Sequence, residues 1–426
     1  MSPSDAKDTI KGGSKMKYLK MLVCLVAAVF VLSWIRSGQA DEIVVGFSGP
    51  LSGPAAEYGQ DCVNGIDMAV KELNAAGGVT VKGKKYTFKL EKLDDQVDAT
   101  RSKTNALRFV NQQKAIAVFN PIATTLASIM SIPEHNFIIA AYSSVHMIND
   151  KGHPMIINPV PSFANYAQQM ASIAWDRGWR NAGMIVTLGP YGDAWREVFK
   201  HVWAGKGGRV VADFPANLYT ETDYSSQLTA ALSKKPDFLL VGGPSATTAL
   251  LIEQARNMGY KGGLVLIDQA KPDYIAKMLK NMKLLEGMIS TVSIGDVTLP
   301  AMPGFKERYV AAYKRDITSE CTINYSMMYM IARSVAVSNS LDPRVVRNNI
   351  AKVLPFLGDK YPGEYYNIED NGVINQAITM QYVKSGKFSR PDYVLTFPQT
   401  RLEFEKIMKL SKITDKSQVR WLPLKF

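Results

Sequence analysis

The 426-residue sequence is poor in the side chains that most often carry metal or nucleophilic chemistry, with three cysteines and four histidines. His135, His146, His153 and His201 show no metal-like spacing. There is no G-x-S-x-G elbow, H-E-x-x-H pair, Gly-rich phosphate loop or dinucleotide fingerprint. These absences weigh against the enzyme classes that depend on such motifs, and they imply no cofactor and no metal. Catalytic groups can also lie far apart in sequence, so an α/β enzyme stays as the weaker alternative. The sequence has no internal repeat and no low-complexity linker. Its densest basic stretches, Lys82 to Lys85 and Lys406 to Lys425, lack the aromatic interleaving that would suggest nucleic-acid binding.

Long apolar runs are equally scarce. The single one, Met21 to Ile35, lies behind Lys15, Lys17 and Lys20 and is followed by Gly38-Gln39-Ala40, small residues at positions −3 and −1 of a cleavage site. It predicts a signal peptide over 1–40 and a periplasmic mature protein. An uncleaved anchor is the competing reading, but the run is shorter than the ~20 residues that cross a bilayer. Cys24 sits inside the run, which argues against a lipoprotein site, and the polar stretch 1–15 makes Met16 a candidate start. The formal charge is +12; the leader holds six basic and two acidic residues, so +8 stays with the mature chain, thinly spread. Cys62 and Cys321 could pair outside the inner membrane, but Cys62 falls on the apolar side of a predicted helix, which favours two separate buried thiols.

Strand-like runs alternate with helical patterns from end to end, the pattern of parallel sheets flanked by helices. Strands are predicted at Ile43–Phe47, Tyr86–Leu90, Ala115–Phe119 and Phe137–Ala141, with a helix from Gly59 stopping at Gly77-Gly78. The prolines of Asn158-Pro159-Val160-Pro161 suggest a crossover into a second series. Its strands are predicted at Gly183–Thr187, Val210–Phe214, Phe238–Val241 and Leu264–Ile267. Beyond it, 287–297 and 364–383 read as extended and 325–338 as a helix. Ligands of doubly wound sheets bind beyond the carboxyl ends of the strands, so the turns Ser48–Tyr58, Asn120–Thr125, Tyr142–His146, Leu188–Tyr191, Gly242–Ser245 and Asp268–Gln269 are the candidate site. Asp94 and Asp95 look like a catalytic pair but suit a structural role after a strand better.

Ordered landmarks then carry a resemblance. Gly49-Pro50-Leu51-Ser52-Gly53-Pro54 through Tyr58-Gly59, Gly65 through Asn74 to Gly77-Gly78, and Asp94-Asp95-Gln96-Val97-Asp98 are followed by Tyr191-Gly192, Asp237-Phe238, Gly242-Gly243, Gln254-Ala255-Arg256 and Gly259. Over roughly 42–385 the chain resembles the type I periplasmic solute-binding proteins of the Leu/Ile/Val-binding, branched-chain amino acid ABC transporter family. The resemblance implies an α/β fold of two doubly wound parallel-sheet lobes joined by three crossovers, near Asn158–Ser162, Ser290–Asp296 and Tyr365–Ile374, which close on a ligand by hinge motion. Lobe 1 would comprise 41–159 and 291–365, lobe 2 would comprise 160–290 and 366–389, and 390–426 would be a C-terminal extension.

By the same resemblance, lobe 1 would offer Tyr58, the turn Ile122, Ala123 and Thr124, and the turn Tyr142, Ser143, Ser144 and Val145. Lobe 2 would offer Tyr191, Ser245 and Asp268 or Gln269, with Ile294 near a crossover. In amino-acid binders of the family the first lobe's turns hold the carboxylate and an acidic residue of the second meets the ammonium. The chain departs from that pattern: Ile122 stands where a serine is expected and Pro244 where a tyrosine is, and Val97 and Pro121 occupy the positions of a family disulfide. Asp268 would pair an ammonium where Gln269 would only hydrogen-bond. Tyr58, Tyr142, Tyr191 and Tyr166 could line an aromatic cleft, and packing is the other reading of each. His146 is read as a surface or core residue. The expected function is a non-enzymatic, monomeric receptor that delivers a small carboxylate to an ABC permease. Acids with an apolar or aromatic body come first, hydrophobic amino acids next. A ligand-sensing signalling module is the alternative from another class.

Overall fold

The computed structural model describes residues 41–53, 55–133 and 136–423. The predicted signal peptide over 1–40 and His135 lie outside the described residues. The predicted strand Ile43–Phe47 lies within β1 (Asp41–Gly49), which pairs in parallel with β3 (Lys84–Asp94) and β4 (Ala117–Asn120). With β2 (Val79–Val81), β5 (Ile138–Ala141) and β6 (Ile156–Ile157) these make a six-stranded sheet in the order β2-β3-β1-β4-β5-β6. Only β2, on the edge, runs antiparallel.

Both faces of this sheet are buried, and the period of two is visible in the packing. Val45 and Phe47 of β1, Ala117 and Phe119 of β4, and Ile138 and Ala140 of β5 enter one core. Val118, Ile139 and Ala141 enter another. Continuous apolar runs, rather than alternating ones, are what a sheet covered on two sides requires. Each large side chain fully withdrawn from water contributes ~1.5–3 kcal/mol.

The first core is covered by the helix Ala56–Ala75, which buries Cys62, Ile66 and Ala69, and by the helix Ser319–Ser338 laid against it. The two backbones approach closely at Gly65, where a Cβ would stand 2.2 Å from the carbonyl oxygen of Cys321. The first helix ends as predicted at Gly77-Gly78, both with positive φ (+95° and +74°), a conformation glycine adopts without the steric cost of a Cβ. Cys62 and Cys321 are both buried and free. Asp94 and Asp95 act on the end of β1 and the turn after it: Asp94 accepts from the Leu51 amide at 2.9 Å and Asp95 from the Ser48 hydroxyl at 3.0 Å.

The second sheet runs β15-β14-β12-β11-β10-β9-β7-β8, with β13 paired to β12. Its parallel body is β7 (Asn181–Val186), β8 (Arg209–Asp213), β9 (Phe238–Gly242), β10 (Gly263–Leu266) and β11 (Met288–Thr291). β12 (Ile378–Lys384) lies antiparallel to β11 and to β14 (Asp392–Leu395), while β15 (Val419–Trp421) is parallel to β14. β13 (Lys387–Phe388) closes a hairpin with β12. The stretch after residue 390 therefore supplies two strands to this sheet. Helices Phe163–Asp176 and Pro190–Gly205 pack on one face; Ser225–Leu232, Ser245–Asn257 and Pro272–Leu279 contribute to the core on the other.

The chain passes between the sheets three times, at 158–162, 292–301 and 354–377. The fold is thus α/β, two doubly wound lobes joined by three crossovers, with one antiparallel strand at the edge of the first sheet, β2, and one inside the second, β12. The segment 287–297, expected to be extended throughout, is a strand only to Thr291 and then a single 3-10 turn at Ile294–Asp296, because there it leaves the sheet. Within 364–383, likewise, only Ile378 onward joins a strand.

Candidate functional site

A cleft of about 660 Å³ opens between the lobes, over the carboxyl ends of strands from both sheets. Tyr58, near the start of the helix Ala56–Ala75, and Tyr142, just after β5, form part of the first-lobe wall, with ring centroids 6.0 Å apart. The Tyr58 hydroxyl donates to the carbonyl of Pro121 at 3.3 Å. Burial, reinforced by nearby Glu320, pushes both phenols well above their ordinary range, so both remain protonated donors. Val160, Tyr166, Leu299 and Ile294 extend the apolar lining.

From the second lobe, Asp268 and Gln269 enter the cleft directly after β10. Asp268 accepts from the Trp195 indole at 2.8 Å and from the Tyr191 hydroxyl, both neutral donors. Tyr191 does not itself line the cleft; it stands behind Asp268 and orients it. Gln269 reaches the Tyr219 hydroxyl at 3.2 Å. Ser245, first in its helix, accepts from the amide of Lys271 at 2.9 Å.

Sequence reasoning missed the ionic part of the wall. Lys271 Nζ lies 3.3 Å from Glu320 Oε1 and 3.1 Å from the Ser319 hydroxyl, and Tyr142 donates to the same carboxylate from 3.2 Å. Burial works against charge on both partners, yet their attraction outweighs it: Glu320 sits below and Lys271 above its ordinary range. Arg315 bonds Asp61 at 2.9 Å and Glu57 at 2.8 Å, and Lys277 meets Asp316 at 2.8 Å. Burial holds the Asp61 carboxyl up at about 6 in spite of Arg315. Among the described residues, seven carboxylates and three cations line the cleft, and each cation already has an acidic partner. The wall is acidic in a basic protein. Lys271, three residues beyond Asp268 in the same turn, was within reach of a turn argument. Glu320 is remote in sequence and carried no local signal.

Of the expected site residues, the structure brings Tyr58, Tyr142, Ser245, Asp268 and Gln269 to the cleft. Ile122, Ala123, Thr124, Ser143, Ser144 and Val145 do not line it. Their turns are tied down internally: Asn120 Oδ1 accepts from the Ile122 amide at 3.0 Å and the Thr125 hydroxyl at 2.8 Å, while Asn158 donates to the Ser143 carbonyl at 2.8 Å. Thr124 is exposed and Ser143, Ser144 and Val145 are buried.

Comparison with known proteins agrees with this architecture. The family described as periplasmic binding protein matches residues 42–387. The Leu/Ile/Val-binding protein of Escherichia coli (strain K12) is 25% identical over 251 residues, 56% of this chain and 64% of the relative, so the chain spans just under two thirds of its length. An amino acid binding protein of Pseudomonas aeruginosa is 34% identical over 105 residues, 25% of this chain and 26% of that one. Among solved structures, the branched-chain amino acid transporter substrate binding protein LivJ of Streptococcus pneumoniae, in complex with isoleucine, superposes with a TM-score of 0.71 at 19% identity, covering 83% of this chain and 100% of that one. A solute binding protein of R. palustris in complex with benzoate gives 0.68 at 15% identity, covering 82% and 95%. Among the described residues no helix is long and apolar enough to cross a membrane. With its two lobes, three crossovers and interlobe cleft, the chain belongs to the periplasmic binding protein family.

Proposed function

We propose that this protein is the periplasmic receptor of an ABC importer and that its ligand is a small solute with an ammonium group and an apolar body, a hydrophobic amino acid. The observation that carries the reading is Asp268: a carboxylate on the cleft wall whose hydrogen-bond donors are neutral, in a lining with an excess of acids. An ammonium desolvated in a closed cleft needs such a partner, since burying an unpaired charge costs several kcal/mol. The same balance reverses the order of ligands expected from the sequence, in which plain acids came first. Tyr58, Tyr142 and Tyr166 would hold the apolar body, and Lys271 is the cation closest in chain to Asp268 to meet a carboxylate. A ligand touching both lobes lowers the energy of the closed form, and the permease would read that difference. No turnover is part of this reading.

An aromatic acid is the second reading, favoured by Lys271, whose side chain keeps 35% exposure beside the tyrosines. We further infer that 1–40 is removed on export, that 41–159 with 291–365 and 160–290 with 366–389 move as the two lobes, and that the receptor is monomeric and binds no nucleic acid. A thermal-shift panel of L-leucine, L-isoleucine, L-phenylalanine, benzoate and the matching amides tests the ligand class, because a solute bound only to the folded protein raises Tm. Asp268→Asn should abolish the response to the amino acids and spare that to benzoate. Equal loss for both, or no response to any solute, would overturn the assignment.

A further inference from the structure

The chain beyond residue 390 lies outside the part matched by the family, which ends at 387, yet it is built into the cleft. Both ends of this stretch, β14 and β15, sit on the second sheet. Between them the helix Arg401–Leu410 opens with a reciprocal cap, in which Thr400 accepts from the Glu403 amide and Glu403 from the Thr400 amide. Phe404 stacks on Trp421, and the Trp421 indole donates to the Pro398 carbonyl at 2.8 Å. A segment so capped and packed is a folded strap with a fixed path.

The strap is fastened to two of the three crossovers. Glu364, on the third, is 6% exposed and receives the Ser411 hydroxyl at 2.7 Å and the Lys412 amide at 2.6 Å, together with the Gly358 amide of its own crossover at 3.1 Å. Thr298, on the second, accepts from the Thr414 amide at 3.3 Å and hydroxyl at 3.2 Å, while its own amide donates to the Tyr393 hydroxyl at 2.8 Å. Between these fastenings Ile413 is 3% exposed, belongs to the first lobe's apolar core, and lines the cleft together with Tyr393 and Glu364.

We infer that residues 411–414 are a positioning and specificity element of the receptor: a noncovalent fourth connection between the lobes that closes the crossover end of the cleft and limits how far the lobes open. Hinge closure turns backbone dihedrals at a few crossover residues. Here those residues cannot turn without carrying the strap or breaking its bonds to Glu364 and Thr298. Ile413 then bounds the space left for the apolar body of the ligand. The inference about ligand space rests on the receptor reading above; the inference about the hinge does not.

The test is hydrogen exchange on the protein without solute, comparing wild type with Glu364→Gln, Ser411→Ala and Thr414→Val. Exchange at least tenfold faster in peptides covering 292–301 and 354–366, with β4 and β9 unchanged, is the expected result. Unchanged crossovers, or uniformly faster exchange everywhere, would overturn it. Should Glu364→Gln fail to fold, Ser411→Ala and Thr414→Val decide the question. In a second arm, Ile413→Trp is titrated with L-isoleucine and benzoate and should weaken whichever the wild type binds by at least tenfold; an unchanged affinity would remove Ile413 from the cleft wall. If the wild type binds neither solute, the receptor reading fails while the exchange arm still decides the strap.

Discussion

Lys271 of the second lobe and Glu320 of the first meet across the cleft, ammonium to carboxylate at 3.3 Å. The pair is asymmetric, because the Glu320 side chain keeps 4% of its surface and Lys271 keeps 35%. Removing the lysine leaves a carboxylate without its cation in a place where water reaches poorly. Breaking a fully buried pair costs about 3–5 kcal/mol, and the partial exposure of Lys271 brings the expectation down to about 1–3 kcal/mol. Lys271→Met should destabilise by that amount in urea unfolding. Adding Glu320→Leu should restore most of the loss, since no unpaired charge then remains. Additive losses in the double variant would show that the two groups do not depend on each other.

Gly65 gives a prediction in which two effects compete. Replacing a helix-interior glycine by alanine is favourable by about 0.8–1.0 kcal/mol through helix propensity. At Gly65 the new Cβ would stand 2.2 Å from the oxygen and 2.8 Å from the Cα of Cys321, backbone atoms that cannot rotate away. Forcing apart two packed helices costs about 1–3 kcal/mol, so Gly65→Ala should be net destabilising. Gly205→Ala, with nothing within 4 Å of its Cβ, should be neutral or stabilising. A stabilising Gly65→Ala would mean that the helices Ala56–Ala75 and Ser319–Ser338 can separate freely.

The same helix pair shows what could be read in the sequence. The helix Ala56–Ala75 was legible because its core positions are apolar and two glycines end it. In Ser319–Ser338 only the part from Tyr325 was legible, since its first turns bury Glu320, Thr322 and Asn324, and a search for apolar periodicity passes over buried polar residues. The central strands were clear because sheets covered on both faces demand unbroken apolar runs, whereas the short strands β2, β6, β14 and β15 carried no such run and were not read. Of the site, Asp268 and the tyrosines followed from the rule that turns after strands face the ligand. The rule could not show that Asn120 and Asn158 would occupy the polar groups of the Ile122 and Ser143 turns, nor that a cation and an acid 49 residues apart would meet.

Tyr191 is expected to act on the ligand only through Asp268. Its hydroxyl is one of two donors to that carboxylate, and a hydrogen bond to a charged group is worth about 1.5–3 kcal/mol. Tyr191→Phe should weaken binding of L-leucine roughly tenfold or more by calorimetry, the free-energy equivalent of that bond. Benzoate, which has no ammonium for Asp268, should be affected less. Equal weakening of both would assign Tyr191 to packing alone.

Asp61 sets a pH dependence whose sign runs against the usual carboxylate. Burial holds its folded pKa at about 6, above the 3.8 of an unperturbed aspartate. Between those values the folded protein keeps a proton that the unfolded chain has released, so its contribution is fully present below about pH 4 and is lost as pH rises through 6. One proton gives a slope of at most about 1.4 kcal/mol per pH unit. Asp95, also raised by burial, acts in the same direction, whereas Glu320, held below its ordinary range, contributes stability that disappears only at more acid pH. Thermal unfolding should therefore show a higher Tm at pH 5 than at pH 7.5. Asp61→Asn, which cannot ionise, should flatten that difference and raise Tm at pH 7.5 relative to wild type. A variant that keeps the wild-type slope would place the titrating group elsewhere.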